Sequence, residues 1–227
     1  SHDVVEHFDA LADHPSTRLA SVMDHTPGQR QFRSLDAYKR FYARQMGRSE
    51  AELQAYLEAR LAEHNRYSAP NRQAIVARTR KMGIALASHD DATLAHVEQA
   101  EADGVAIAEF PTTLEAASAA HAAGLAILMG APNVVRGQSH SGNISATDLV
   151  AAGLLDILSS DYVPFALLQA AFLLPSRVAG LDLPRALATV TANPARAAGL
   201  DDRGEIAPGK RADLVRVAAA SPLPAVR

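Results

Sequence analysis

"IALASHDDATLAHVEQAEADGVAIAEF", residues 84–110, contains the pattern from which we infer the fold. A short apolar run at 84–88 is followed by a stretch with helical patterning that closes on Gly104, and a second apolar run occupies 105–109. Both runs are apolar throughout, which is typical of strands buried on both faces of a parallel sheet. Glycine is frequent just after the end of a helix. The stretch therefore predicts a strand, a crossover helix and a second, parallel strand.

The same alternation extends in both directions along the chain. Strand-like apolar runs also occur at 17–24, 125–129 and 155–159. The stretches at 112–124 and 145–153 have helical patterning and again close on glycine. We therefore predict an α/β fold with parallel strands joined by right-handed crossovers.

The segments around this alternation are predicted to be mainly helical. Helical patterning occurs at 1–15 and again at 69–83, just before the second strand. Residues 34–67 have the pattern of two charged amphipathic helices, which we interpret as an insertion forming a lid or an outer decoration. Within it, Ser49 and Glu52 have the spacing of a capping box.

Beyond the last strand, further short elements are expected. The pattern predicts helices near 163–175 and 182–192 and a helical turn at 193–200. Residues 201–217 have the pattern of two short strands joined by a Pro-Gly turn.

Composition excludes several classes of protein. Hydrophobic residues make up 48% of the 227 residues, so a packed core is expected and disorder is not. A net charge of −3 argues against nucleic-acid binding and against a basic membrane-binding patch. No secretory signal and no membrane-spanning apolar run are found, so we expect a cytoplasmic protein. The sequence leaves the oligomeric state open, including a homo-oligomer.

Polar side chains follow every predicted strand at its carboxyl end, which is where parallel α/β folds bind ligands. In chain order they are Asp24, His25, Gln29 and Arg30; His89, Asp90 and Asp91; Glu109; Asn133, Arg136, His140 and Asn143; and Asp161. Because the carboxyl ends of parallel strands meet at one edge, these groups are expected to share one site.

His25, His89 and Asp161 are the candidate metal ligands. The chain has no cysteine, so a metal must be held by His, Asp or Glu. Imidazole and carboxylate suit zinc, manganese or iron, and such a metal lowers the pKa of a bound water. Asp161 could accept that proton and pass it to a leaving group. The alternatives are that the histidines are ordinary half-buried side chains and that Asp90 caps the following helix.

Two segments have the composition of an anion site. "RGQSHSGN", residues 136–143, combines hydroxyls, backbone N–H groups, Arg136, His140 and Asn143, all of which suit phosphate oxygens. Gln29 and Arg30 have similar chemistry. The alternatives are an ordinary loop at 136–143 and a surface ion pair at Arg30.

Several longer motifs carry a family resemblance. "MDHTPGQRQF", "ALASHDDAT", "AEFPTTLEAA", "MGAPNVVRGQSHSGN" and "GLLDILSSDYVP" together resemble the diphosphatases of carbon–phosphorus lyase phosphonate degradation, a branch of the amidohydrolase superfamily. "TANPARAAGLDDRGEIAPGKRADLVRV" is similar to the usual amidohydrolase tail. The resemblance runs from about residue 17 to residue 217.

The resemblance implies a (β/α)8 TIM-type barrel and a metal-dependent hydrolase, with a centre that is binuclear in the intact enzyme. The family substrate is a phosphorylated ribose, α-D-ribose 1-methylphosphonate 5-triphosphate, which is hydrolysed to the 5-phosphate and pyrophosphate. By motif, His25 and His89 would be metal ligands, and Asp161 would be both ligand and proton shuttle. Gln29, Arg30, Asn133, Arg136, His140 and Asn143 would contact substrate, a role inferred more from their chemistry than from the family.

The chain also departs from the family pattern. The His-x-His pair and the bridging Lys or Glu of amidohydrolases do not precede His25. We therefore expect a partial barrel over 1–200, with 201–227 as a remnant of a small β domain and tail. Such a chain alone is expected to bind metal weakly and not to turn over substrate. The alternatives are another amidohydrolase, similar to dihydroorotases or deaminases and acting on ring or amide C–N bonds, and an inactive remnant.

Overall fold

Five parallel strands form the main sheet. The computed structural model describes residues 2–30, 49–138, 143–218 and 224–226. The strands are β1 (Leu19–Val22), β2 (Ala85–His89), β3 (Ile107–Glu109), β4 (Ala126–Gly130) and β5 (Ile157–Ser159). They lie in the order β1-β2-β3-β4-β5, so each strand pairs with its neighbour in sequence. This is the order of a (β/α)8 barrel and differs from that of a doubly wound sheet. The predicted α/β class and partial barrel are confirmed.

The helices between the strands begin and end where their sequences indicate. Helices α3 (Leu94–Asp103) and α4 (Leu114–Ala122) lie between β2 and β3 and between β3 and β4. The side chains of Thr93 and Thr113 cap their N-termini, and Gly104 ends α3 in the left-handed conformation, with φ of 74°. Between β4 and β5 lie α6 (Ala146–Ala151), as predicted, and a short helix, α5 (Ala131–Arg136), which was not predicted.

The region before β2 differs from the prediction. After α1 (Val4–Ala12) and β1, residues 50–82 form one continuous helix, α2 (Glu50–Met82), instead of an insertion followed by a separate helix. The capping box of Ser49 and Glu52 is present at its start. Pro70 lies inside α2 although proline usually ends a helix. Both halves of α2 bury apolar side chains, and this packing outweighs the cost of the proline. Residues 34–48 lie outside the described part of the chain.

The carboxyl-terminal part is helical and then irregular. Helices α7 (Ala166–Arg177), α8 (Leu183–Ala188) and α9 (Ala192–Ala197) follow β5. Residues 201–216 contain no strand, so the predicted strand pair within 201–217 is wrong. The turn is present, but the apolar side chains on either side of it, including Leu214 and Val215, are exposed and do not pack against the described residues. A small antiparallel pair forms further along, between β6 (Val217–Ala218) and β7 (Ala225–Val226).

The two faces of the main sheet carry separate apolar clusters. One face packs against the helices through alternate strand residues, including Leu86, Ala108, Ile127 and Leu158. The other, which we call the inner face, carries Ala87, Ile107, Leu128 and Ile157. Side chains alternate along a strand, so the next positions on the inner face are His89 in β2 and Glu109 in β3. The inner face therefore becomes polar at the carboxyl ends of the strands. None of the described helices combines the length and apolar composition that a bilayer span requires.

Candidate metal centre

Three side chains meet at the carboxyl ends of β1 and β2. His89 is the last residue of β2, Asp90 follows it, and His25 comes three residues after β1. Oδ2 of Asp90 lies 3.2 Å from Nε2 of His25 and 3.5 Å from Nε2 of His89. One ligand atom from each of the three residues lies within 4.8 Å of the other two. The structure thus brings together the two histidines that the sequence singled out, and it adds Asp90.

The chemistry of these three residues fits a divalent cation. Asp90 is 4% exposed, and its Oδ2 atom accepts no hydrogen bond from the described residues even though both imidazoles are close. A buried carboxylate oxygen without a partner is costly, and a cation would satisfy it. His25 is the open side of the group, since 43% of its side chain is exposed. Two imidazoles and a carboxylate suit zinc, manganese or iron.

Glu109 holds the imidazole of His89 from the opposite side. Nδ1 of His89 lies 2.8 Å from Oε2 of Glu109, and the same oxygen accepts a hydrogen bond of 2.5 Å from Oγ of Ser21. Burial alone would lower the pKa of His89, but the hydrogen bond to Glu109 and the charge of Asp90 outweigh burial and raise the pKa. Burial alone would raise the pKa of Glu109, but the hydrogen bonds from His89 and Ser21 lower it. Nδ1 is thus engaged, and Nε2 is left for a cation.

The loop that carries His25 is fixed to helix α2. Asp24 accepts hydrogen bonds from Thr26 and from Oγ of Ser68, and its Oδ2 lies 2.8 Å from Nδ1 of His64. Burial would raise the pKa of Asp24, but these hydrogen bonds and the charge of His64 lower it.

Arg30 is directed into the protein. Its guanidinium is 7% exposed and pairs with the carboxylate of Asp91, which is 1% exposed. It also donates to the carbonyl of His89 at 3.1 Å and to Oε1 of Gln99 at 3.2 Å. The guanidinium of Arg30 thus has three partners inside the protein, and its role as a substrate contact stays a prediction.

Asp161 lies two residues after β5 and does not belong to the group formed by His25, His89 and Asp90. It is exposed and has a left-handed backbone, with φ of 50°. Its side chain lies over Gly130, where an added Cβ would be 3.0 Å from Oδ2 of Asp161. Asp161 is therefore at the expected edge of the sheet, while its role as a ligand stays a prediction.

The remaining predicted substrate contacts have different environments. Arg136 is exposed at the end of α5, and its guanidinium carbon lies 5.9 Å from the ring centroid of Tyr162, next to Asp161. Oδ1 of Asn133 accepts a hydrogen bond from the amide of Ala146 and so connects α5 to α6. Gln29 and Asn143 are partly buried, and His140 lies outside the described residues.

A comparison with known protein families identifies the family to which the chain belongs. A sequence model of the amidohydrolase family matches residues 42–226. The chain belongs to the amidohydrolase family. Amidohydrolases are typically metal-dependent, and the group of His25, His89 and Asp90 gives this member a site of suitable composition.

Known relatives include one of assigned activity. The chain is 51% identical over 215 residues to the α-D-ribose 1-methylphosphonate 5-triphosphate diphosphatase of Escherichia coli strain K12. The alignment covers 94% of this chain and 57% of the relative, so the chain spans little more than half of that protein's length. A crystal structure described as that of an amidohydrolase is 19% identical, with a TM-score of 0.47 over 66% of this chain and 42% of that one.

Sequence reasoning placed Asp90 and Glu109 among the polar groups at the strand ends but assigned neither to the metal centre. The specific role considered for Asp90 was that of a helix cap, although Thr93 caps α3. Glu109 was noted at a strand end but given no role. The available signal was alternation, because Glu109 and His89 are terminal residues of adjacent strands and pair in register.

Proposed function

We propose that this amidohydrolase chain is part of a metal-dependent diphosphatase of phosphonate catabolism. Its substrate would be α-D-ribose 1-methylphosphonate 5-triphosphate, and its products the 5-phosphate and pyrophosphate. The observation that carries this proposal is the 51% identity over 94% of the chain to the E. coli enzyme of that name. The group of His25, His89 and Asp90 at the carboxyl ends of parallel strands supports it. A pathway of this kind would place the protein in the cytoplasm.

In this proposal each group of residues in the chain has a separate role. His25, His89 and Asp90 would hold a divalent cation, zinc, manganese or iron, which would be one of two in a complete site. Such a cation supplies Lewis acidity toward a phosphoryl oxygen and lowers the pKa of water. Glu109 keeps Nε2 of His89 directed at the cation.

The hydrolysis breaks one P–O bond of the anhydride and adds water across it. The water oxygen bonds to phosphorus, and Asp161 accepts the water proton and returns it to the departing pyrophosphate. Asp161 would also be a further ligand of the cation, as the sequence motif implies. Arg136 offsets negative charge on the phosphoryl oxygens, with further contacts from Gln29, Asn133, His140 and Asn143.

A chimera tests this proposal. The chain replaces the aligned segment of the E. coli diphosphatase, and pyrophosphate release from the triphosphate substrate is measured with added metal. We expect release by the chimera, its loss in His89→Ala and Asp161→Ala, and none by the 227-residue chain alone. His121→Ala, at an exposed position on α4, is the matched control and should keep full activity. A well-folded chimera that releases no pyrophosphate, or equal release by His89→Ala, would contradict the proposal.

A further inference from the structure

A buried polar network lies next to the candidate metal centre, and Arg30 is its hub. Arg30 pairs with the carboxylate of Asp91, and the same guanidinium nitrogen donates to the carbonyl of His89. Its other terminal nitrogen donates to Gln99 on α3. Because Arg30 connects the end of β2, the turn that follows it and α3, it restricts the movement of all three.

Asp91 is fixed at several atoms. One carboxylate oxygen accepts from Arg30, and the other accepts from Oγ of Ser88 at 2.5 Å. Its backbone carbonyl accepts from the amide of Thr112 at 2.9 Å. The residues on both sides of Asp90 are therefore held, His89 through its carbonyl and Asp91 through its side chain and carbonyl.

Asp90 itself has an unfavourable backbone conformation. Its φ is 55°, in the left-handed region that residues with a Cβ seldom occupy. Its amide donates to the carbonyl of Glu109 at 2.9 Å, so the turn is also attached to β3. In this conformation the carboxylate of Asp90 points to His25 and His89 instead of capping α3. Strained conformations of this kind persist only where the surroundings determine them, and they concentrate at functional sites.

We propose that Arg30 and Asp91 are a positioning pair that sets the cation affinity of the centre. The pair holds the two neighbours of Asp90 so that Asp90 stays left-handed and its carboxylate remains turned toward the two imidazoles. Neither residue touches the cation. This inference rests on the proposed cation site.

A role in stability alone does not account for the pair. A buried Arg–Asp pair often stabilises a fold no better than apolar residues would. The chain also offers a second, partly buried pair for comparison, in which Nε of Arg72 on α2 lies 2.6 Å from Oδ2 of Asp103 on α3. Within the described residues that pair makes no hydrogen bond or ion pair with His25, His89 or Asp90, and so it serves as a matched control.

The experiment compares cation binding with metal-free stability in the 227-residue chain. Co²⁺ affinity is measured by calorimetry, and the visible Co²⁺ spectrum reports ligand geometry. Thermal unfolding without metal is measured in parallel for Arg30→Met, Asp91→Asn and Arg72→Met. We expect all three variants to unfold at lower temperature than the unaltered chain. Only Arg30→Met and Asp91→Asn should lose about 10- to 100-fold in Co²⁺ affinity and change the spectrum.

The possible results distinguish a failure of the proposed cation site from a failure of the proposed positioning role. If the unaltered chain binds no Co²⁺, the proposed cation site is wrong and the positioning role falls with it. If it binds Co²⁺ and both variants bind as tightly as Arg72→Met, the positioning role is wrong while the cation site stands. Should Arg30→Met not fold, Arg30→Lys replaces it, because lysine keeps the charge but cannot reach all three acceptors. Unchanged affinity in both Arg30→Lys and Asp91→Asn would then overturn the inference.

Discussion

Nδ1 of His89 lies 2.8 Å from a carboxylate oxygen of Glu109, and this contact leaves Nε2 of the same ring 3.5 Å from Oδ2 of Asp90. The two residues end adjacent strands and pair in register. A carboxylate behind a histidine fixes its tautomer and raises its basicity, which is the usual arrangement for a metal-binding imidazole. The strand register thus determines which nitrogen of His89 a cation can reach.

Glu109→Gln should weaken cation binding while keeping the shape of the site. The amide can still accept the Nδ1–H hydrogen bond, but the negative charge that raises the pKa of His89 is lost. We expect about a tenfold loss of Co²⁺ affinity and a lower pKa for His89. Calorimetry measures the Co²⁺ affinity, and NMR titration of the imidazole measures the pKa of His89. Glu115→Gln, an exposed acid on α4, should change neither; a similar loss in both variants would contradict the prediction.

Cation affinity should rise with pH through the raised pKa of His89. Proton and cation compete for Nε2, and the unfolded value of a histidine is about 6.5. In the metal-free chain the sign is opposite. A raised folded pKa gives stability that is fully present below about 6.5 and is lost as the pH rises through the folded pKa. Calorimetry in buffers of different ionisation enthalpy counts the protons released, and a pH-independent affinity between pH 6 and 9 would rule the competition out.

Most of the fold could be predicted because its elements are locally consistent. The buried strands are short apolar runs, and the predicted capping box of Ser49 and Glu52 is present at the start of α2. The predictions fail where tertiary packing, and not the local sequence, determines the structure. Pro70 indicated a helix boundary, but burial on both sides of it keeps α2 continuous. The apolar residues near the carboxyl terminus indicated strands, yet most of that segment has no surface to pack against.

The site could be predicted only in part, because its geometry depends on one backbone angle, the φ of Asp90. In an extended strand, alternation directs residues 89 and 91 to one side and residue 90 to the other. The left-handed turn at Asp90 changes this arrangement and places its carboxylate with His89 while Asp91 meets Arg30. Sequence patterns give no signal for a positive φ at an aspartate, so Asp90 could be placed at the shared site but not recognised as a candidate ligand beside His25 and His89.

Asp90→Asn should separate stability from cation binding. The substitution removes a buried charge whose Oδ2 lacks a hydrogen bond, and asparagine tolerates the left-handed conformation well. We expect the metal-free chain to gain up to about 1 kcal/mol in free energy of unfolding, as is common when a functional group is removed. Co²⁺ binding should fall below detection. Urea denaturation and calorimetry measure the two effects.

Asp148→Asn is the matched control for that result. The carboxylate of Asp148 accepts a hydrogen bond of 2.6 Å from Oγ of Ser145 and therefore already has a partner. This variant should lose stability and keep its Co²⁺ affinity. A loss of stability in Asp90→Asn as large as in Asp148→Asn would show that the carboxylate at position 90 is not strained.

Asp24→Asn should remove part of the acid sensitivity of the metal-free chain. The pKa of Asp24 is lowered in the folded state, so its contribution is present above the unfolded value of about 3.9 and is lost as the pH falls through the folded pKa. We expect Asp24→Asn to be about 1 kcal/mol less stable at pH 7. The difference should shrink toward pH 3. Urea denaturation at both values measures it, and exposed Asp201→Asn should show no such difference; a pH-independent deficit would assign the effect to shape alone.

Gly130→Ala should reveal how firmly Asp161 is held. A Cβ at position 130 would lie 3.0 Å from Oδ2 and 3.4 Å from Cβ of Asp161, which is too close for the present side-chain position. We expect a loss of about 1–3 kcal/mol that becomes smaller in the Asp161→Ala background, where the obstructing carboxylate is absent. A double-mutant cycle by urea denaturation should give a coupling energy above about 0.5 kcal/mol. Gly153→Ala, which is strained by its φ of 72° but meets nothing within 4 Å, should not couple to Asp161. A coupling near zero for Gly130→Ala would mean that Asp161 moves aside freely, and a proton acceptor needs a fixed position to act.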